Sequence, residues 1–272
     1  MLRVEHYDQY KKMAEYFNPK DSMTNLYMMP EELHGHIERG NLYYDDPVND
    51  DILLFYLENE FFYKLYMFTK KGEAPSIPFI NKPIVADLVY TEKNGEGVMA
   101  DLLRKTGFEH LALYRQNTIR HSEINFPEND LEGYRVDFAT RDQVPAILSM
   151  LYDIFPPVSN ELPDEALLAK LVEERAVLSF FSPSGNICGC SQWERMKETC
   201  LMKHLALIPE ERGKGLSMKL YYEVLKKAQA KNYKNWVEIN NTVKQKLDAA
   251  LGYRFNGKYM LKLIFGDIKG KQ

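Results

Sequence analysis

Between residues 4 and 17, Val4, Tyr7, Tyr10, Met13, Ala14 and Phe17 fall at steps of three and four, which sets them on one face of a helix, and Asn18-Pro19 is the stop after it. Residues 51–70 read differently. Phe, Tyr, Leu and Ile crowd on both sides of Glu58-Asn59-Glu60, a pattern that predicts two strands joined by a tight polar turn. Another strand is expected over 84–90, followed by a short helix over 98–105 that Thr106-Gly107 closes.

The second half alternates strand and helix at greater length. Turn-forming residues at Phe126-Pro127-Glu128-Asn129-Asp130 precede Tyr134-Arg135-Val136-Asp137-Phe138, where apolar and charged residues alternate, so a domain boundary is placed near residue 131, dividing the chain into 1–131 and 132–272. Asp142 is the expected cap of a helix with Pro145 in its first turn and Val144, Ile147, Leu148, Leu151 and Ile154 as its apolar stripe. A second helix opens at Pro163-Asp164-Glu165. Strands are then expected over 176–182, 187–195 and 199–208, a long helix from Leu216 to about Lys231, a strand over 236–241, a helix over 244–251 ended by Gly252, and a last strand over 259–265.

Between the third of those strands and the long helix runs Leu205-Ala206-Leu207-Ile208-Pro209-Glu210-Glu211-Arg212-Gly213-Lys214-Gly215-Leu216-Ser217. A helix that starts at a glycine loop presents unpaired N–H groups and the positive end of its dipole, so the natural occupant is an anion such as a pyrophosphate. Two familiar glycine loops do not fit. A dinucleotide fingerprint needs a third glycine where Met218 stands, and a P-loop needs Gly-Lys-Ser/Thr where Gly215-Leu216-Ser217 stands. The glycine spacing is echoed at Glu92-Lys93-Asn94-Gly95-Glu96-Gly97-Val98, consistent with a degenerate first copy or with an ordinary Asn-Gly turn in an unrelated α+β domain. With Asn94 and Glu96 where Arg212 and Lys214 stand, that first loop is expected to hold no phosphate.

Composition narrows the class. In 272 residues, 45% are hydrophobic and 27% charged, enough for two compact cores, and a net charge of −4 argues against binding nucleic acid through a general basic surface, leaving only a local patch. The longest unbroken apolar run, from Ile52 to Leu57, is far short of the ~20 residues of a membrane span. Three cysteines give no disulfide framework, so a cytoplasmic protein with reduced thiols is expected.

The strand-loop-helix residues resemble the GNAT superfamily of acyl-CoA-dependent N-acyltransferases, whose hallmark Gln/Arg-x-x-Gly-x-Gly/Ala follows a strand reading like Leu-x-Val-x-Pro; here Leu205 to Gly215 match, with Glu210 departing at the first hallmark position. The resemblance covers about residues 132–266. It implies an α/β fold of GNAT type, a mixed, mostly antiparallel sheet flanked by helices, with a second α/β domain ahead of it. It further implies acetyl-CoA as co-substrate and a small primary amine as acceptor, with the oligomeric state left open; composition and spacing add the expectation of no metal, nucleic acid or membrane. Backbone groups of Leu205, Ala206 and Leu207 would hold the pantetheine, Arg212, Gly213, Lys214, Gly215, Leu216 and Ser217 the pyrophosphate, and Asn241 would lie near the pantetheine.

The acid-base chemistry is less defined. Glu194 and His204 are the candidate bases for the amine proton, each with a plain alternative: an exposed carboxylate near a turn, and a buried strand histidine with satisfied hydrogen bonds. The tyrosine that protonates the leaving thiolate in the family is replaced by Asp248, a carboxylate ionised at neutral pH, leaving Tyr221, Tyr222 or Tyr253, an unprotonated departure, or a non-catalytic acyl-CoA-binding or scaffolding module. Cys188, Cys190, Cys200 and His204 have ligand chemistry, but the expected hairpin sets Cys190 and Cys200 too far apart for one ion. Lys214, Lys219, Lys226 and Lys227 would suit the adenosine phosphates or a solvated helix face.

Overall fold

A computed structural model of the chain describes residues 1–17, 22–45, 51–70, 72–78, 80–128 and 131–267. The elements run β1 (Leu2–Arg3), α1 (Tyr7–Glu15), β2 (Ser22–Thr24), α2 (Pro30–Arg39), β3 (Leu42–Tyr44), β4 (Ile52–Glu58), β5 (Tyr63–Lys70), β6 (Ile84–Thr91), α3 (Gly97–Lys105) and β7 (Glu109–Arg120). Then come β8 (Arg135–Phe138), α4 (Val144–Ile154), α5 (Pro157–Asn160), α6 (Glu165–Glu173), β9 (Val177–Phe181), β10 (Ile187–Met196), β11 (Thr199–Leu207), α7 (Leu216–Ala228), β12 (Asn232–Glu238), α8 (Thr242–Leu251) and β13 (Arg254–Phe265). Asn18-Pro19, expected to stop the first helix, lie outside the described residues, as do Asn129 and Asp130 of the expected linker.

Two compact units result, Met1–Leu113 with Lys258–Gln272, and Tyr114–Gly257. This division differs from the boundary expected near residue 131, because backbone ladders and not turn residues set it. Residues 114–120 of β7 pair antiparallel with β12, while residues 258–265 of β13 pair antiparallel with β6. The strand after α3 therefore serves the second unit, and the strand after α8 serves the first.

In the first unit the strand order is β1-β3-β4-β5-β6-β13. Alternation sorts the side chains of β4 and β5 into two layers: Leu54, Tyr56, Leu65 and Met67 face Met99, Ala100 and Leu103 of α3, and Leu53, Phe55, Tyr66 and Phe68 face Tyr10, Leu33 and Ile37 of α1 and α2. In the second unit the order is β7-β12-β11-β10-β9-β8, with one core joining Ile147 and Leu151 of α4, Leu168 of α6, and Leu220 and Val224 of α7. Both sheets are antiparallel except for one parallel pair each, β5 with β6 and β11 with β12.

That parallel pair aligns the two units. Three antiparallel strands lead into it in each case, β3-β4-β5 and β9-β10-β11. The glycine loop of the second unit lies between β11 and β12, so its counterpart in the first unit is the connection from β5 to β6. The Gly95/Gly97 turn instead comes after β6 and matches the start of α8 in position. The glycine echo is thus a turn signal of another connection.

Locally, Asp142 does not cap α4. Gln143 Oε1 accepts from the Thr140 N–H at 3.4 Å in the turn ahead of it, whereas Asp164 Oδ1 does cap α6, accepting from the Leu167 N–H at 2.7 Å. The strand expected over 236–241 lies earlier, over Asn232–Glu238, because Asn241 is drawn into capping α8.

Candidate functional site

The register of β11 prepares an opening. Against β10, Leu205 stands opposite Ser191 and Met202 opposite Trp193, so Lys203 and His204 share the place of Gln192, a bulge on β11. At the same point the parallel ladder to β12 ends, its last pair being Met202 with Asn235. Beyond the bulge, residues 205–207 continue paired to β10 while β12 leaves them. Gly189 locks that edge, since a Cβ there would stand 2.5 Å from the Ala206 carbonyl oxygen.

The glycine loop comes directly after this edge. Arg212 Nε donates to the Leu207 carbonyl at 2.9 Å, folding the turn at Pro209-Glu210-Glu211 back on the strand end. Gly213 (φ +77°) and Gly215 (φ +72°) both take the left-handed conformation, and a Cβ on either would meet nothing within 4 Å. Their requirement is one of backbone conformation and free approach. Gly215 caps α7 without any side-chain hydrogen bond to the first turn, which leaves those N–H groups to an external acceptor. Lys214 bridges Glu211 at 2.8 Å, and the Tyr134 hydroxyl donates to the same carboxylate at 2.6 Å. The Lys214 bond, then that of Tyr134, holds the Glu211 carboxyl below the usual range, and the Glu211 bond holds the Lys214 ammonium above its own. Lys219 pairs with Glu132 and Lys226 with Glu223, while Lys227 lies over the Phe138 ring. The Lys219 pair is exposed and contributes at most about 1 kcal/mol, so an anion can compete for that lysine, whereas the Glu223 carboxylate beside Lys226 is largely covered.

The two candidate bases differ in setting. His204 is buried with both ring nitrogens engaged: Nε2 bonds the Asn160 carbonyl at 3.1 Å, Nδ1 accepts from the Gln192 side-chain amide, and Phe155 packs on the ring at 5.3 Å. Its bonds tie α5 to β11 across the bulge. Glu194 keeps 44% of its side chain exposed, opposite Leu201, with Lys203 Nζ at 3.2 Å.

Asn241 and Asp248 are both drawn into structure. Asn241 Oδ1 accepts from the Lys244 N–H at 2.9 Å as the cap of α8. Asp248 is 1% exposed and receives Asn117 Nδ2 of β7 at 2.8 Å, Asn235 Nδ2 of β12 at 2.9 Å, and the ammonium of Lys244. Burial pulls Lys244 down, but the Tyr221 oxygen and the Asp248 carboxylate more than offset it, so the ammonium is held above its ordinary value. The Tyr221 and Tyr253 hydroxyls bond each other at 3.2 Å, and burial above all raises Tyr253 well above the usual phenol range. Sequence reasoning missed Asn117 and Asn235, because a buried strand asparagine looks like a loop residue until its carboxylate partner is in place.

Along the hairpin, Cys190 stands opposite Ala206 and Cys200 opposite Arg195, five positions apart on β10 or about 16 Å. Among the described residues no group of three or more His, Cys, Asp or Glu side chains is placed to hold a metal ion, and no helix is long and apolar enough to cross a membrane.

This architecture, a mostly antiparallel sheet whose one parallel pair splays ahead of a glycine loop, is the fold of the GCN5-related N-acetyltransferases. A GCN5-related N-acetyltransferase from Sphaerobacter thermophilus matches at 12% identity and TM-score 0.59, over 90% of this chain and 88% of that one. An acetyltransferase of the GNAT family from Colwellia psychrerythraea matches at 14% identity and TM-score 0.55, over 97% and 98%. A tandem GNAT protein from the clavulanic acid biosynthesis pathway matches at 9% identity and TM-score 0.52, over 96% and 87%. No family profile and no curated protein matches the sequence.

Proposed function

We propose that the second unit is an N-acetyltransferase, holding acetyl-CoA in the gap between β11 and β12 and transferring its acetyl group to a primary amine. The observation that carries this reading is the end of the β11/β12 ladder at Met202 and Asn235, directly ahead of a left-handed Gly213-Lys214-Gly215 turn at a helix start. Backbone groups of Leu205, Ala206 and Leu207 line the gap for the pantetheine amides, and the N–H groups from Gly213 to Ser217 receive the pyrophosphate. The amine nitrogen attacks the thioester carbonyl, a backbone N–H of β11 stabilises the oxyanion, and the C–S bond breaks to release CoA. Glu194 is the better placed base, since its carboxylate meets solvent, whereas the lone pair of His204 is used by Gln192. A cytoplasmic location accords with three unpaired, buried cysteines.

A second reading, an acyl-CoA-binding module without turnover, is favoured by one observation: the position of the family tyrosine is a carboxylate locked by three donors. Thiol release from acetyl-CoA across a panel of amines separates the two. Gly215→Val should abolish CoA binding in calorimetry, because a β-branched residue opposes φ +72° and fills the phosphate approach. Binding equal to the parent would refute the site. Turnover that survives Glu194→Gln unchanged would remove Glu194 as base.

A further inference from the structure

The first unit parts its own parallel strands even earlier. β5 and β6 share two pairs, Tyr63 with Ile84 and Lys64 with Val85, after which both strands run on. By position this gap is the counterpart of the one between β11 and β12, and it is filled from within the chain. Thr69 pairs with Ile52 of β4 on one edge and with Met23 of β2 on the other, so β2 lies along the edge of β5 that β6 has left. Just beyond β2, Asn25 is 2% exposed, its Oδ1 accepts from the Met67 N–H at 2.7 Å, and its Nδ2 donates to the Leu65 carbonyl at 2.9 Å and across the gap to the Asp87 carbonyl at 3.2 Å. Tyr27 then reaches the Val89 carbonyl of β6 at 3.2 Å.

We infer that residues 22–27 are a built-in occupant of the first unit's acyl-CoA cleft, with the Asn25 amide making the backbone bonds that a pantetheine amide would make, so that the chain binds one CoA and the first unit none. The inference rests on the acetyl-CoA reading of the second unit. A ligand entering the β5/β6 gap has to break four hydrogen bonds and the β2 ladder before making its own. The floor of the gap is closed as well: the Asp87 carboxylate lies 2.8 Å from Lys64 and 3.2 Å from Lys262, its cross-strand neighbour on β13. The reason for the lack of CoA is thus the filled cleft, and the Asn94 and Glu96 replacements have no part in it.

Hydrogen exchange of the full chain with and without saturating CoA, paired with calorimetry, tests this. Residues 205–215 should slow on adding CoA, residues 65–70 and 22–27 should keep their rates, and the titration should end at one CoA per chain. A CoA-dependent change at residues 65–70 or two CoA per chain overturns the inference. Unchanged rates at residues 205–215 overturn the proposed function instead. Asn25→Ala decides the filled cleft without any ligand: the Met67 amide should exchange about tenfold faster, and an unaltered rate overturns the inference however CoA behaves.

Discussion

In the first unit the parallel ladder ends after two pairs and the chain's own β2 and Asn25 bridge the gap beyond them; in the second it ends after four, and among the described strands residues 205–207 keep only β10 as a partner. Downstream the units differ again, since β11 runs into Gly213, Gly215 and a thirteen-residue helix, whereas no helix is described between β5 and β6. One sheet topology thus yields an edge that runs into a left-handed glycine turn at a helix start in one case and a self-satisfied edge in the other. A backbone edge left by a parting strand needs partners, and chain or ligand can supply them.

The largest effect should come from cutting at the turn residues. A fragment of residues 132–272 loses β7, leaving β12 without its antiparallel partner and Asp248 without Asn117, and is expected to show no cooperative thermal transition. A fragment that melts like the parent would mean that β7 is dispensable to the second unit. Next, Asp248→Ala strips a buried ammonium of its partner and should cost about 3–5 kcal/mol in urea denaturation, with Lys244→Met costing less because it leaves Asp248 two amide donors. Equal, small losses would mark the cluster as solvated.

Gly189→Ala should cost about 1–3 kcal/mol by pressing on the Ala206 carbonyl, and should weaken CoA binding by moving the edge of β11; destabilisation with unchanged affinity would detach that edge from the site. The smallest effect sharpens the contrast through chemistry, as all three cysteines lie in the second unit. Burial pushes the Cys188 thiol up to about 11 and Cys190 up to about 12, which favours the protonated form. At pH 8 the thiolate is then about one part in a thousand or less, against about a quarter for an ordinary thiol, so iodoacetamide should label these residues only after the unit opens. Labelling at an ordinary rate in the folded chain would mean that β10 is exposed.

Sequence alone determined the elements whose signal is local. The period-three-and-four stripe of α4, the hairpin of β10 and β11, and the turn at Gly213 and Gly215 come from side-chain spacing and from the backbone freedom of glycine, and each lies within a residue or two of its expected place. Tertiary structure alone decided what depends on partners far away in the chain. Gln116 and Asn117 are buried in β7 because Asn256 and Asp248 meet them there, and nothing in their own segment says so. The same holds for Asn25, which reads as a turn residue until β5 and β6 part around it. It holds too for the exchange of β7 and β13, since a strand's sequence specifies which face is buried and leaves the choice of neighbour to the ladder it completes.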